Sequence, residues 1–62
     1  MNSLRQVRLN LGYTLREVAE KSNISEGYLC HLENGSKSNP SKTVMDSIAK
    51  ALNTKAYLLF YL

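Results

Sequence analysis

The stretch that decides the fold of this chain is Thr14-Leu-Arg-Glu-Val-Ala-Glu-Lys-Ser-Asn-Ile-Ser-Glu-Gly-Tyr-Leu-Cys-His-Leu-Glu-Asn-Gly35. Thr14 is followed three residues later by Glu17, a capping box that predicts the start of a helix. Asn23 tolerates the left-handed backbone conformation that a tight turn needs, and Ser25 is a good N-cap for a second helix. The closing Asn-Gly pair predicts the end of that helix. The stretch therefore predicts two short helices joined by a tight turn.

Apolar side chains recur at helical spacing on both sides of this turn. They are Leu15, Val18 and Ala19 before it, and Ile24, Leu29 and Leu32 after it. In order and spacing, with Asn23 between them, these residues resemble the twenty-residue helix-turn-helix motif of the lambda-repressor-like family, which includes phage repressors and Cro. The resemblance implies that the second helix crosses closely over the small Ala19 and that the later apolar residues fix it to the core. A glycine is usual in the family where this chain has Asn23.

Three further helices are predicted outside the motif. They run from about Asn2 to Leu11, from about Lys42 to Leu52 and from Lys55 to about Tyr61. The first has an apolar stripe of Leu4, Val7 and Leu11, and it carries Arg5 and Arg8 on its polar face. The resemblance thus extends over nearly the whole chain. The expected fold class is all-α, with five short helices around one small core and with helices 2 and 3 forming the helix-turn-helix.

Composition limits the classes of protein to which the chain can belong. Its 62 residues are enough for one domain, expected over 1–62. Eight Lys and Arg against five Asp and Glu give a net charge of +3, which is compatible with nucleic acid. A single cysteine allows no intramolecular disulfide, and neither a signal peptide nor an apolar run of about 20 residues is visible. We therefore expect a cytoplasmic protein that does not enter a membrane.

The resemblance implies that the second helix of the motif enters the major groove and that its exposed N-terminal residues meet base edges. The implied base contacts are Ser25, Glu26, Gly27, Tyr28 and His31. Glu26 can accept a hydrogen bond from cytosine N4, or it only complements the helix dipole. Gly27 departs from the family pattern, in which a side chain reads bases at this position. Contact there requires close approach of the backbone or recognition of DNA shape.

Phosphate contacts are expected on both sides of the second helix of the motif. The candidates are Thr14, Arg16, Asn34, Lys37, Ser38 and Asn39. For Asn34, Lys37, Ser38 and Asn39, the alternative is a solvated loop without a ligand. Arg8 and Glu33 match an ion pair of the family, which implies that they hold the end of the third helix against the first. The alternative for Arg8 is an ordinary surface arginine.

Catalysis finds no support in the sequence. The only cysteine, Cys30, and the only histidine, His31, are adjacent on a helix and face different directions. A metal site needs three or four ligands, and no such cluster exists. We therefore expect neither an enzyme nor a bound metal or cofactor.

The C-terminal residues are too apolar for a free tail. Once Leu59 and Phe60 are turned inward, Tyr57, Tyr61 and Leu62 remain, and an exposed apolar patch typically marks an interface. We interpret these three residues as a homodimer interface; the alternative is that a further segment of a longer chain, or a protein partner, covers the patch.

The resemblance thus implies a regulator of transcription that binds double-stranded DNA sequence-specifically, and we expect a repressor that acts as a dimer on a palindromic operator. Two alternatives remain open. One is a protein-interaction module of antitoxin or anti-repressor type. The other is a module that binds nucleic acid without sequence preference.

Overall fold

The structure, a computed structural model, describes residues 3–35 and 40–60. Within these ranges the chain forms five helices and no strand, which confirms the expected all-α fold. The helices are α1 (Leu4–Asn10), α2 (Leu15–Ser22), α3 (Glu26–Asn34), α4 (Lys42–Ala51) and α5 (Ala56–Phe60). None of these described helices has the length and hydropathy needed to cross a membrane.

The helix-turn-helix has the local signals that the sequence predicts. Thr14 Oγ1 accepts a hydrogen bond from the Glu17 amide at 3.0 Å, and Glu17 Oε1 accepts one from the Thr14 amide at 2.8 Å. Asn23 has the left-handed conformation, with φ 60° and ψ 43°. Ser25 Oγ caps α3 by accepting from the Tyr28 amide at 3.1 Å. Gly35 ends α3 with φ 69°.

One hydrophobic core joins the helices. Its buried members are Leu4, Val18, Ala19, Leu29, Leu32, Ile48, Ala49, Leu52 and Leu59. Helix α2 packs against both α3 and α4, whereas α1 packs against α3 and α5. Because α3 contributes Leu29 and Leu32 to this core, one of its faces is fixed and the opposite face is left to solvent.

Helix α1 departs from the predicted pattern on both of its faces. Leu11 does not complete the inner stripe: it is 51% exposed, because the helix ends at Asn10 and Gly12, with φ 78°, turns the chain away. Arg8 is not on the polar face but buried, at 7% exposure. It lies one turn after Leu4 on the inner face, where Glu33 neutralises its charge.

The other helix ends differ from the predicted ones by about one residue. Helix α4 ends at Ala51, with Leu52 as its C-cap, and α5 begins at Ala56 rather than at Lys55. Asn2 and Tyr61, predicted as the start of α1 and the end of α5, lie outside the described residues.

Candidate nucleic-acid interface

Helix α3 presents an exposed face opposite its two buried leucines. Gly27, His31 and Asn34 follow one another at spacings of four and three residues, so they share one face of the helix. All three are exposed, whereas Leu29 and Leu32 on the other side are buried. The sequence therefore folds into a helix whose outer face is available to a ligand.

The remaining predicted base contacts lie around the first turn of the same helix. Ser25 and Glu26 are exposed. Tyr28 is only half-buried, because part of its side chain packs against the core. The Ser25 hydroxyl oxygen already accepts from the Tyr28 amide, but its own hydrogen can still be donated. The five predicted residues are thus brought together, with Tyr28 at the edge of the group.

Glu26 differs from the other Asp and Glu side chains in having no partner among the described residues. Glu17 belongs to the capping box of α2. The other three are paired: Glu20 Oε2 lies 3.5 Å from Arg16 Nε, Glu33 Oε2 lies 2.6 Å from Arg8 Nε, and Asp46 Oδ2 lies 3.6 Å from Lys42 Nζ. Among the described residues, Glu26 alone therefore offers an uncompensated carboxylate. That carboxylate stands at the start of the exposed helix.

The ion pair of Arg8 and Glu33 joins the inner side of α3 to α1. Arg8 Nε and Nη2 donate to the two oxygens of Glu33 at 2.6 and 3.0 Å, and Nη1 donates to the Tyr13 carbonyl at 2.9 Å. Their side chains are only 9% and 4% exposed. The hydrogen bonds to Glu33 raise the pKa of Arg8 above its ordinary value, although burial acts in the opposite direction. The contact fixes the last turn of α3 to α1.

The Tyr13 carbonyl is a part of this arrangement that sequence reasoning missed. It is a backbone acceptor, and its direction depends on the turn that Gly12 makes with φ 78°. The turn glycine is visible in the sequence, but the direction of the following carbonyl is not.

The N-terminus of α2 carries the predicted phosphate contacts Thr14 and Arg16. The capping box engages the amides of Thr14 and Glu17. The amides of Leu15 and Arg16 precede the first hydrogen bond within the helix, so they remain as donors at its N-terminus. The Arg16 side chain is 76% exposed and reaches Glu20 only at 3.5 Å. An exposed pair of this kind is weak, so a phosphate can compete for the guanidinium.

The predicted phosphate contacts on the other flank are described only in part. Asn34 is exposed at the end of α3, where its Nδ2 lies 3.7 Å from Cys30 Sγ. Lys37, Ser38 and Asn39 lie outside the described residues.

Helix α5 leaves apolar surface in solvent. Leu59 is fully buried and Phe60 packs against the core, but Tyr57 is 57% exposed and Leu58 37%. Tyr61 and Leu62, the other predicted interface residues, lie outside the described residues. In the part of the chain that the structure describes, no three His, Cys, Asp or Glu residues are placed to hold a metal ion.

Comparison with known proteins identifies relatives over nearly the whole chain. A family model described as helix-turn-helix matches residues 4–59. The transcriptional regulator SinR of Bacillus subtilis is 30% identical over 56 residues, covering 90% of this chain and 50% of SinR. The transcriptional regulator ClgR of Mycobacterium tuberculosis is 43% identical over 49 residues, covering 79% of this chain and 43% of ClgR. The chain thus spans about half the length of these relatives.

Solved structures agree with the sequence matches. The crystal structure of SinR, a master regulator for biofilm formation, in complex with DNA matches with a TM-score of 0.81 at 30% identity, over 87% of this chain and 86% of that one. The complex of SinR with the SinI protein matches with a TM-score of 0.80 at 30% identity, over 87% of this chain and 52% of that one. These relatives are transcriptional regulators rather than enzymes, in line with the expected absence of catalysis.

Proposed function

Because the chain belongs to the helix-turn-helix family of lambda-repressor and Cro type, we propose that it binds double-stranded DNA and regulates transcription. One observation of the structure carries this proposal. The outer face of α3 is exposed along its length, while Leu29 and Leu32 fix the inner face to the core. A helix held in this way can enter the major groove without rearrangement.

Glu26 is the residue that we assign to direct base readout. A free carboxylate facing a polyanion is unfavourable unless it forms a specific hydrogen bond, and Glu26 alone among the described carboxylates is free. Cytosine N4 is the base-edge donor that most often pairs with a carboxylate in the major groove. Ser25 and His31 can donate to bases or phosphates nearby, and Tyr28 can place its ring edge on a thymine methyl or its hydroxyl on a phosphate.

The DNA backbone would be held on both sides of α3. On one side, the N-terminus of α2 offers two amides, the Thr14 hydroxyl and the Arg16 side chain. On the other side, Asn34 precedes a segment that contains Lys37, Ser38 and Asn39, which we assign to phosphate contacts from the sequence alone. These contacts set the orientation of α3 but do not read sequence.

We further propose that the protein is a repressor that binds a palindromic operator as a dimer. Two exposed residues of α5, Tyr57 and Leu58, support an interface there, which we extend to Tyr61 and Leu62. A two-fold axis through this surface would place two α3 helices about one DNA turn, ~34 Å, apart. The second half-site then binds at the high local concentration that the dimer provides.

A protein partner is the second candidate for the α5 surface. It is favoured by one finding, that the matched relative SinR occurs in a complex with the SinI protein. The two candidates for this surface predict different behaviour of the purified chain. If α5 is a dimer interface, two copies of the chain bind a duplex with two half-sites cooperatively. If α5 needs another protein, the copies bind the two half-sites without cooperativity, and sedimentation equilibrium shows no self-association of the chain.

Selection of bound duplexes from a random pool tests the DNA-binding proposal. The selected duplex and a scrambled one are then compared in mobility-shift titrations at several salt concentrations. We expect preference for the selected duplex, and Glu26→Gln should lose discrimination at one C·G base pair. Asp46→Asn removes the same charge from α4 and should leave discrimination unchanged. Equal affinity of the wild-type protein for both duplexes would refute sequence-specific binding.

A further inference from the structure

Gly27 stands at the N-terminal end of the exposed face of α3, and no feature of the described residues requires a glycine there. Its φ is not in the left-handed region, in contrast to Gly12 and Gly35 with φ values of 78° and 69°. Apart from its chain neighbours and the adjoining backbone of α3, a Cβ atom added at Gly27 would meet no described atom within 4 Å. Neither backbone conformation nor packing within the described residues therefore explains the missing side chain.

This glycine weakens the helix that carries it. Glycine loses more backbone freedom on folding than any other residue, so alanine stabilises a helix at the same position. A small domain with a small core has little stability to lose. Gly27 lowers the stability of α3, and no contact among the described residues requires it. The simplest explanation is therefore a ligand that approaches this face of the helix.

We propose that Gly27 is a specificity-determining residue, whose missing side chain lets base edges of the major groove come into direct contact with the backbone of α3. This inference rests on the proposed function. Gly27 shares its face with His31 and Asn34, opposite the buried leucines. It lies in the first turn of α3, the part of a recognition helix that contacts base edges. A methyl group there holds the helix away from the bases and lengthens the hydrogen bond assigned to Glu26.

The test compares Gly27→Ala with the wild-type protein on the duplex that the wild-type protein selects from a random pool. We expect the Tm of Gly27→Ala to rise by a few degrees, because alanine favours the helix. Its affinity for the selected duplex should fall by about tenfold or more, the scale of one lost base contact, while affinity for a scrambled duplex stays the same. Gly27→Ser, with a larger side chain, should lose at least as much.

Thr43→Ala is the matched control. Thr43 is the second residue of α4 after the N-cap Ser41, as Gly27 is the second residue of α3 after the N-cap Ser25, and it is also exposed. This variant should gain helix stability without losing affinity for the selected duplex. It separates the effect of a methyl group against DNA from the effect of a more stable domain.

Each outcome decides one statement. If Gly27→Ala binds the selected duplex as tightly as the wild-type protein, the inference is overturned and the proposed function is untouched. If Gly27→Ala loses affinity equally for selected and scrambled duplexes, Gly27 affects only how closely α3 approaches the DNA phosphates. Its role in specificity is then overturned. If the wild-type protein does not prefer its selected duplex, the proposed function fails and the inference fails with it.

Discussion

Breaking the contact between Arg8 and Glu33 should be among the most costly single changes in this protein. Both side chains are nearly buried, at 9% and 4% exposure, and they form two hydrogen bonds with each other. Removing one partner of a buried pair typically costs about 3–5 kcal/mol, because the other charge remains without compensation. The total stability of 62 residues is only about 3–9 kcal/mol at the usual value per residue.

Glu33→Gln keeps the shape of the side chain and one acceptor oxygen, so we expect a loss of about 2–4 kcal/mol in the free energy of unfolding. Arg8→Met strands the Glu33 carboxylate and the Tyr13 carbonyl together, so its cost should be larger. The double variant leaves no buried charge and should be less destabilised than the sum of the single variants by at least ~1.5 kcal/mol. Urea unfolding followed by circular dichroism measures all four proteins, with sucrose added so that the weakest still fold.

The exposed pair of Lys42 and Asp46 is the control for this cycle. Its atoms are 3.6 Å apart, and the side chains are 86% and 58% exposed. Pairs of this kind contribute at most ~0.5 kcal/mol on a helix, so the corresponding cycle should show almost no coupling. If Arg8 and Glu33 also couple by less than ~0.5 kcal/mol, the reasoning from burial is wrong.

Three further changes test other parts of the structure. Ser22→Ala should raise the free energy of unfolding by about 0.5–1 kcal/mol in urea titrations, because Ser22 is 5% exposed and its Oγ has no hydrogen-bond partner among the described residues. A lower free energy of unfolding would mean that the hydroxyl forms a hydrogen bond. Arg16→Ala and Lys37→Ala should each reduce the slope of log affinity against log salt by ~0.9, the value for one phosphate. Lys50→Ala should leave that slope unchanged, and an unchanged slope for either of the first two removes it from the phosphate contacts. Tyr57→Asp should weaken self-association and operator binding together by sedimentation and mobility shift, whereas loss of neither would exclude α5 as the interface.

The sequence predicts those parts of the fold that depend on neighbours a few residues away. The capping box of Thr14 and Glu17, the left-handed Asn23 and the Ser25 cap all use hydrogen bonds that span three or four residues. Their partners are visible in the sequence itself. The same holds for the buried face of α3, since the spacing of Leu29 and Leu32 already indicates it.

Other features could not be predicted from the local apolar pattern, because they depend on distant partners. The apolar pattern of α1 favours Leu11 for the core and Arg8 for solvent, yet the structure reverses these environments. The reason is Glu33, 25 residues away, which neutralises a buried arginine. The family resemblance implies this pair, whereas the spacing of apolar residues in α1 does not. Likewise, the sequence does not show that Glu26 lacks a partner among the described residues, because this depends on which cations the other carboxylates contact. Nor does it show the free space around Gly27, because this depends on the positions of residues distant in sequence.

The hydrogen bonds from Ser3 to α5 have a consequence for the order in which the chain folds and opens. The Ser3 amide and hydroxyl donate to the carbonyls of Leu59 and Leu58 at 3.0 and 2.7 Å, and the latter pair is 55 residues apart. Closing so long a loop costs more entropy than closing the local contacts of α2 and α3, and the five residues of α5 are too few to be helical alone. The first and last helices should therefore join late and separate first. Hydrogen exchange would show this as faster exchange of the α5 amides than of the α2 and α3 amides. The helix-turn-helix would then stay folded while the contact between α1 and α5 opens.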